Sequence, residues 1–142
     1  MYVAADLACA IIETFGRSHS SVVTVSSLSA AGLARIHTSR ELKLFDLAES
    51  GGLTRIGTDS RLCSIAEYGL TQRWSKALHD HPARADGIFY RSRLDPARFA
   101  CAVFDRASDA FNAEPLGTLA KTEHAPLISE VLDTYKWSLI AD

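Results

Sequence analysis

Cysteine is scarce in this chain: Cys9, Cys63 and Cys101 are an odd number, widely spaced, with no C-x-x-C pair. Such usage leaves neither a disulfide framework nor a zinc site to read, and points to the reducing cytosol. No apolar run approaches the roughly 20 residues of a membrane helix. The opening stretch MYVAADLACAIIETF holds Asp6 within its apolar part and has no basic segment ahead of it, so it reads as neither a signal peptide nor an anchor. An excess of one charge is also missing. Fifteen Lys and Arg stand against 17 Asp and Glu, for a net charge of -2, which gives no basis for the counterion release that drives direct nucleic-acid binding. There is no glycine-rich phosphate loop: GGLTRIG lacks the spacing of either nucleotide-binding fingerprint. Nor is there a G-x-S-x-G elbow, an internal repeat, a long linker or a charge block.

What is present suffices for one domain. The chain has 142 residues, 47% of them hydrophobic, enough to build one core at this length. Over residues 4–15, Leu7, Ile11 and Phe15 recur four apart beside Ala8 and Ile12, which predicts a helix buried on one side. Asp6 is placed to cap its start, and Gly16 suits a left-handed ending. Residues 1–3 read as the stub of a strand with partners upstream. The β-branched run VVTVSSL at 22–28 and the alternating ELKLFDL at 41–47 predict two more strands. TQRWSKALHD reads as a short helix capped by Thr71, with Trp74 as its core anchor. GIFY and CAVFD read as central strands, Pro126 opens a helix carrying Ile128, Val131 and Tyr135 on one face, and KWSLI closes with a strand. The mixed order of short strands and helices predicts an α+β fold in one domain over residues 1–142.

Three groups of residues could carry chemistry. Glu13 lies away from the Leu7 and Ile11 stripe and four residues before Arg17, the spacing of an exposed helical ion pair contributing a few tenths of a kcal/mol. Tyr90-Arg91-Ser92-Arg93 follows an apolar strand, where polar residues meet ligands and arginines could fork onto phosphate. An ordinary loop, its arginines solvated or paired with Asp86, Asp95 or Asp105, fits the same residues. His79-Asp80-His81 has a two-residue spacing that does not suit metal ligation from a helix, and His19, His37 and His124 have no sequence neighbours that mark them out.

Taken together, several segments resemble the RES domain, the toxin half of bacterial RES–Xre toxin–antitoxin pairs. They are Tyr2-Val3-Ala4 with Ala10-Ile11-Ile12-Glu13, then Arg40-Glu41-Leu42 with Phe45-Asp46-Leu47, then Thr71-Gln72-Arg73-Trp74, and last Asp86-Gly87-Ile88-Phe89-Tyr90 with Ser92-Arg93 and Phe104-Asp105. They occur in the family's order, and the match is strongest over residues 1–106. The resemblance implies a fold similar to ADP-ribosyltransferases and diphtheria-toxin-like catalytic domains. It also implies that NAD+ is substrate rather than cofactor, with no metal, and that its nicotinamide–ribose bond is cleaved by hydrolysis or phosphorolysis. ADP-ribosyl transfer to a protein is the enzymatic alternative.

By the same resemblance Glu13 matches the family glutamate that stabilises an oxocarbenium-like state. Tyr2 matches the tyrosine lining the nicotinamide or ribose pocket, Ser92 the serine on the opposite wall, and Arg93 an NAD-binding or structural arginine. The partners implied are an Xre-like helix-turn-helix antitoxin protein, phosphate as an acceptor, and a second copy in a homodimer; the address is cytoplasmic, with no membrane contact. In the family pattern an arginine-bearing segment expected to hold the pyrophosphate precedes the tyrosine, whereas this chain opens at Met1. The expectation is therefore either a start placed inside the natural sequence, with an upstream segment supplying the arginine, or a truncated, catalytically inactive domain that keeps only antitoxin binding or self-association.

Overall fold

A computed structural model describes residues 1–18, 20–64 and 68–142, so His19 lies outside the described residues. In chain order the elements are β1 (Tyr2–Ala4), α1 (Leu7–Phe15), β2 (Val22–Thr24), α2 (Val25–Ala30), β3 (Gly32–Thr38), β4 (Leu44–Asp46), α3 (Gly52–Arg55) and α4 (Arg61–Ser64). They continue as α5 (Tyr68–Asp80), β5 (Gly87–Arg91), β6 (Phe99–Val103), β7 (Phe111–Thr118), α6 (Ala125–Tyr135) and β8 (Ser138–Ile140). The mixture is α+β, as predicted. Among the described residues no helix is long and apolar enough to cross a membrane.

A four-stranded sheet in the order β1-β6-β5-β4 carries the centre of the molecule. GIFY and the first three residues of CAVFD lie in its two inner strands, antiparallel to each other with Ile88 opposite Ala102 and Tyr90 opposite Ala100, while Phe104 and Asp105 fall beyond β6. The strand over residues 1–3 finds a partner downstream: β1 runs antiparallel to β6, with Tyr2 opposite Ala102. Parallel β4 closes the other edge and spans only Leu44–Asp46, shorter than the predicted 41–47. Gly87 is required at the start of β5, since a Cβ there would lie 2.5 Å from the Ala102 carbonyl oxygen.

The VVTVSSL run divides. Only Val22–Thr24 is strand, and Val25–Ala30 is helix. Thr24 Oγ1 accepts from the Ser27 amide at 3.1 Å while the Thr24 amide donates to Ser27 Oγ at 3.2 Å. This reciprocal cap satisfies two free helix-end donors, and it outweighs the β-branched character of the segment. β2 then pairs in parallel with β8, the strand predicted from KWSLI. The antiparallel ribbon of β3 and β7 had no sequence signal; its register shifts between Leu33 and Ala34, next to Pro115, a residue that strand interiors tolerate at such irregularities.

Helix α1 begins at Leu7, with Asp6 Oδ1 accepting from the Cys9 amide at 2.8 Å, as its position suggested. Gly16 is not left-handed (φ -76°); a Cβ there would press on Leu94 and Trp137 at 3.2–3.3 Å, so its smallness is used for packing. Thr71 lies inside α5 rather than capping it. Ile11 and Ile12 of α1 pack with Val23, Leu28, Leu119, and Ile128 and Val131 of α6. The closing helix therefore completes this core. A second cluster joins Leu47, Leu78, Ile88 and Phe104 beneath α5. Leu78 is the α5 residue that enters it; Trp74, predicted as the anchor, is only half-buried.

Between these strands a single acid is heavily used. Asp86, 8% exposed, accepts from Arg40 Nη1 and Nη2 at 2.9 and 2.8 Å and from the Lys43 amide at 2.8 Å. Its own amide donates to the Lys43 carbonyl, and its carbonyl accepts from the Phe104 amide. The Arg40 hydrogen bonds, with help from the Lys43 amide, hold its carboxyl down to about 2. Because the folded value lies below the roughly 3.9 of a free aspartate, its contribution is complete above that value and is lost as pH falls through 2. Asp86→Ala is expected to cost about 2–3 kcal/mol at neutral pH. Urea titrations at a series of pH values should show the gap between wild type and variant closing as pH falls from 5 toward 2.

Candidate functional site

Helix α1 buries Ala8, Cys9, Ile11 and Ile12, which turns Glu13 to the edge of that face with a quarter of its side chain exposed. Glu13 Oε1 accepts a 2.6 Å hydrogen bond from Ser92 Oγ. The direction of that bond follows from the rest of the hydroxyl's surroundings. Ser92 Oγ accepts from the backbone amides of Leu94 at 3.1 Å and Asp95 at 3.3 Å, so its one proton is left for the carboxylate. Ser92 is 2% exposed, and its amide donates to the Arg98 carbonyl. The loop is itself tied down. Arg98 pairs with Asp95 and with Asp6, the cap of α1, and the Tyr135 hydroxyl of α6 donates to Asp95.

In front of Glu13 opens a cleft of about 460 Å³ between α1, α5 and the four-stranded sheet. Its floor is apolar, with Leu47, Leu78, Ile88 and Ala102; Thr71, Gln72, Trp74 and Ser75 of α5 form one wall, and Tyr2, Tyr90, Arg17 and Arg93 complete it. The period-two alternation of β5 explains the selection: Ile88 and Tyr90 face the cleft, while Phe89 stacks on Phe99 and Arg91 lies over the same ring on the other face. Burial raises the Tyr90 phenol well above its usual range, so it stays a neutral donor. Arg17 Nη2 lies 3.6 Å from Glu13 Oε2.

Three of the predicted residues, Tyr2, Glu13 and Arg93, thus line one cleft. Ser92 does not stand on an opposite wall: it sits behind Glu13 and holds it. The aspartate partners read for these arginines are taken by others: Arg91 donates to the carbonyls of Pro96 and Ala48, while Asp95 pairs with Arg98 and Asp86 with Arg40. Tyr90 belongs to the Tyr90–Arg93 group but has no role assigned from the sequence, although its place two residues after Ile88 on a strand was the signal for one. Arg17 was legible only as a surface ion pair; its position in the cleft comes from the tertiary fold.

The other candidates are occupied elsewhere. His79 bonds Asp80 at 2.9 Å and Asp105 at 3.0 Å, while the His81 ring meets Phe45 edge-on. His37 reaches Glu114 and His124 the Thr118 carbonyl. Among the described residues no group of three or more His, Cys, Asp or Glu is placed to hold a metal ion. Burial, with Asp6 nearby, pushes the Cys9 thiol up to about 11, which makes it a poor nucleophile. A second groove of about 460 Å³ on the far side of Tyr2 carries Lys76, His79 and Asp105. Its charges are already paired through Asp80 and Asp105, so the Glu13 cleft is the better candidate. Ser92→Ala is expected to lower stability by about 1–3 kcal/mol, since it strands two buried amides and the carboxylate's donor. In denaturant titrations Glu13→Gln should lose less, because an amide oxygen can still accept from Ser92.

The chain matches the RES domain over residues 1–127. It is also 30% identical, over 126 residues, to "Probable toxin y4kH" of Sinorhizobium fredii (strain NBRC 101917 / NGR234), covering 88% of this chain and 95% of the relative. No solved structure matches. The matched span includes β1, the helix that carries Glu13 and the loop that carries Ser92, and on that match this chain belongs to the RES domain family.

Proposed function

We propose that this protein is the toxin of a bacterial toxin–antitoxin pair and that it destroys cytoplasmic NAD+ at the nicotinamide–ribose bond. The observation that carries the reading is a carboxylate, Glu13, anchored by a buried hydroxyl at 2.6 Å and facing a mostly apolar cleft of a size suited to a nucleotide. Family membership and the toxin name of the relative support the same direction. In this reading residues 1–142 form one RES-like domain of ADP-ribosyltransferase-like fold. An Xre-like helix-turn-helix antitoxin silences it by covering the cleft.

The chemistry asks for little covalent participation. The C1′–N bond breaks with its electron pair going to the pyridinium nitrogen, which leaves as neutral nicotinamide. The ribose is left as an oxocarbenium-like cation, and Glu13 stabilises that developing charge at close range. An oxygen of water or phosphate then bonds to C1′, giving ADP-ribose or its 1-phosphate, and for water the surplus proton passes to solvent. Tyr2 and Tyr90 supply aromatic surface for the nicotinamide ring, the Tyr90 hydroxyl can meet a ribose or amide oxygen, and Arg93 faces the rest of the dinucleotide. Ser92 acts through Glu13 as a positioning residue.

The test is nicotinamide release from NAD+ by the purified chain, with and without inorganic phosphate. Release that depends on phosphate identifies phosphorolysis, and release without it hydrolysis. Glu13→Gln is expected to lower kcat by about 100-fold or more while its melting temperature stays close to that of wild type. A folded wild-type protein that leaves NAD+ intact, or a Glu13→Gln variant that consumes it at the wild-type rate, would sink the assignment.

A further inference from the structure

The chain is net acidic, yet among the described residues the charged side chains lining the Glu13 cleft are two arginines and one glutamate. Arg93 is half-buried there and, among the described residues, has no hydrogen-bond or ion-pair partner. A guanidinium carries five donors and no acceptor, and those of Arg93 stay open to solvent at the cleft, where a ligand can take them. Neighbouring arginines are treated differently: Arg40, Arg91 and Arg98 are each committed to acceptors in the fold. Arg17, the other cation, is 59% exposed and touches Glu13 only at 3.6 Å, longer than the roughly 2.7–2.9 Å of a charge-assisted hydrogen bond. An exposed contact of that kind is weakly held.

We infer that Arg17 and Arg93 form a two-armed receptor for the phosphate-bearing part of the ligand, and that binding there draws Arg17 off Glu13. The inference deepens the reading above and rests on it for the identity of the ligand. While Arg17 lies beside Glu13 it offsets the negative charge that a cationic ribose would need. A phosphate offers Arg17 two oxygens in fork geometry, a better partner than one distant carboxylate oxygen. Contact with the phosphate therefore exposes the carboxylate to the reacting sugar, so binding energy gained away from the scissile bond is used at it. The phosphate can belong to the dinucleotide or arrive as free inorganic phosphate.

The decisive experiment measures binding of ADP-ribose, inorganic phosphate and nicotinamide riboside, which has no phosphate, to wild type, Arg17→Gln, Arg93→Gln and Arg17→Lys. Each Gln variant is expected to lose about tenfold or more in ADP-ribose affinity. Arg17→Lys, which keeps the charge but not the two-pronged contact, should fall between wild type and Arg17→Gln, and nicotinamide riboside should stay within about twofold throughout. Inorganic phosphate that competes with ADP-ribose and weakens in the same variants supports a site open to either source; ADP-ribose binding without competition supports a site specific to the dinucleotide. Unchanged ADP-ribose affinity in both Gln variants overturns the inference, as does an equal loss for the phosphate-free ligand. If a Gln variant does not fold, wild-type ADP-ribose binding at about 50 and 200 mM salt decides: insensitivity overturns the inference. Affinities as expected without nicotinamide release would remove the catalytic reading and leave the phosphate site, whereas release with unmoved affinities would do the reverse.

Discussion

The pairing of β6 with a neighbour on each side organises the rest of the molecule. Through it Tyr2 comes to lie opposite Ala102, and Ala102 opposite Ile88, so residues separated by most of the chain meet on one face of a sheet. β1 is three residues long and adds little by itself. Its importance is that α1 follows after two residues, so docking β1 against β6 sets where Glu13 can be. Asp86 serves the same end from the other edge by fastening the approach to β4, the start of β5 and the residue after β6.

The cleft lies between two apolar clusters, one under α1 and α6 and the other under α5. This division lets a polar wall be built without a polar core. Ser92 is the buried polar side chain nearest the cleft, and its hydrogen-bonding capacity is used by two amides and Glu13. A buried hydroxyl with all partners in place is rigid as well as satisfied, so the carboxylate it holds is preorganised before any ligand arrives. The network does not stop there: Arg98 and Tyr135 carry it to the cap of α1 and to α6.

The elements legible in the sequence were those fixed by local pattern. The helical stripe through Leu7 and Ile11, the two inner strands, the Pro126 helix and the last strand all reflect periodicity or a position-specific residue. The ribbon of β3 and β7 was invisible because exposed positions dominate β3 and Pro115 interrupts β7; its pairing spans about half the chain. VVTVSSL was misjudged over its second half because capping by Thr24 and Ser27 competes with strand propensity and wins locally. For the site, Glu13 and Arg17 carry the spacing of a common surface pair, and nothing within α1 distinguishes the two situations. What distinguishes them is Ser92, 79 residues away.

That contrast also separates structural charge from ligand-facing charge in this protein. Asp86, Arg40, Arg98, Asp95 and His79 have partners close enough to determine their geometry, and several of their pKa shifts are caused by those partners. Tyr90 shows the opposite cause: burial, not pairing, raises its phenol, and among the described residues its hydroxyl has no hydrogen-bond partner. Arg93 likewise has no partner among the described residues, and Arg17, 59% exposed, touches Glu13 only loosely. Polar groups left without firm partners at a cleft are available to a ligand. In this cleft they lie beside a carboxylate whose own position is fully determined, which is the distribution expected where geometry is spent on a ligand and not on the fold.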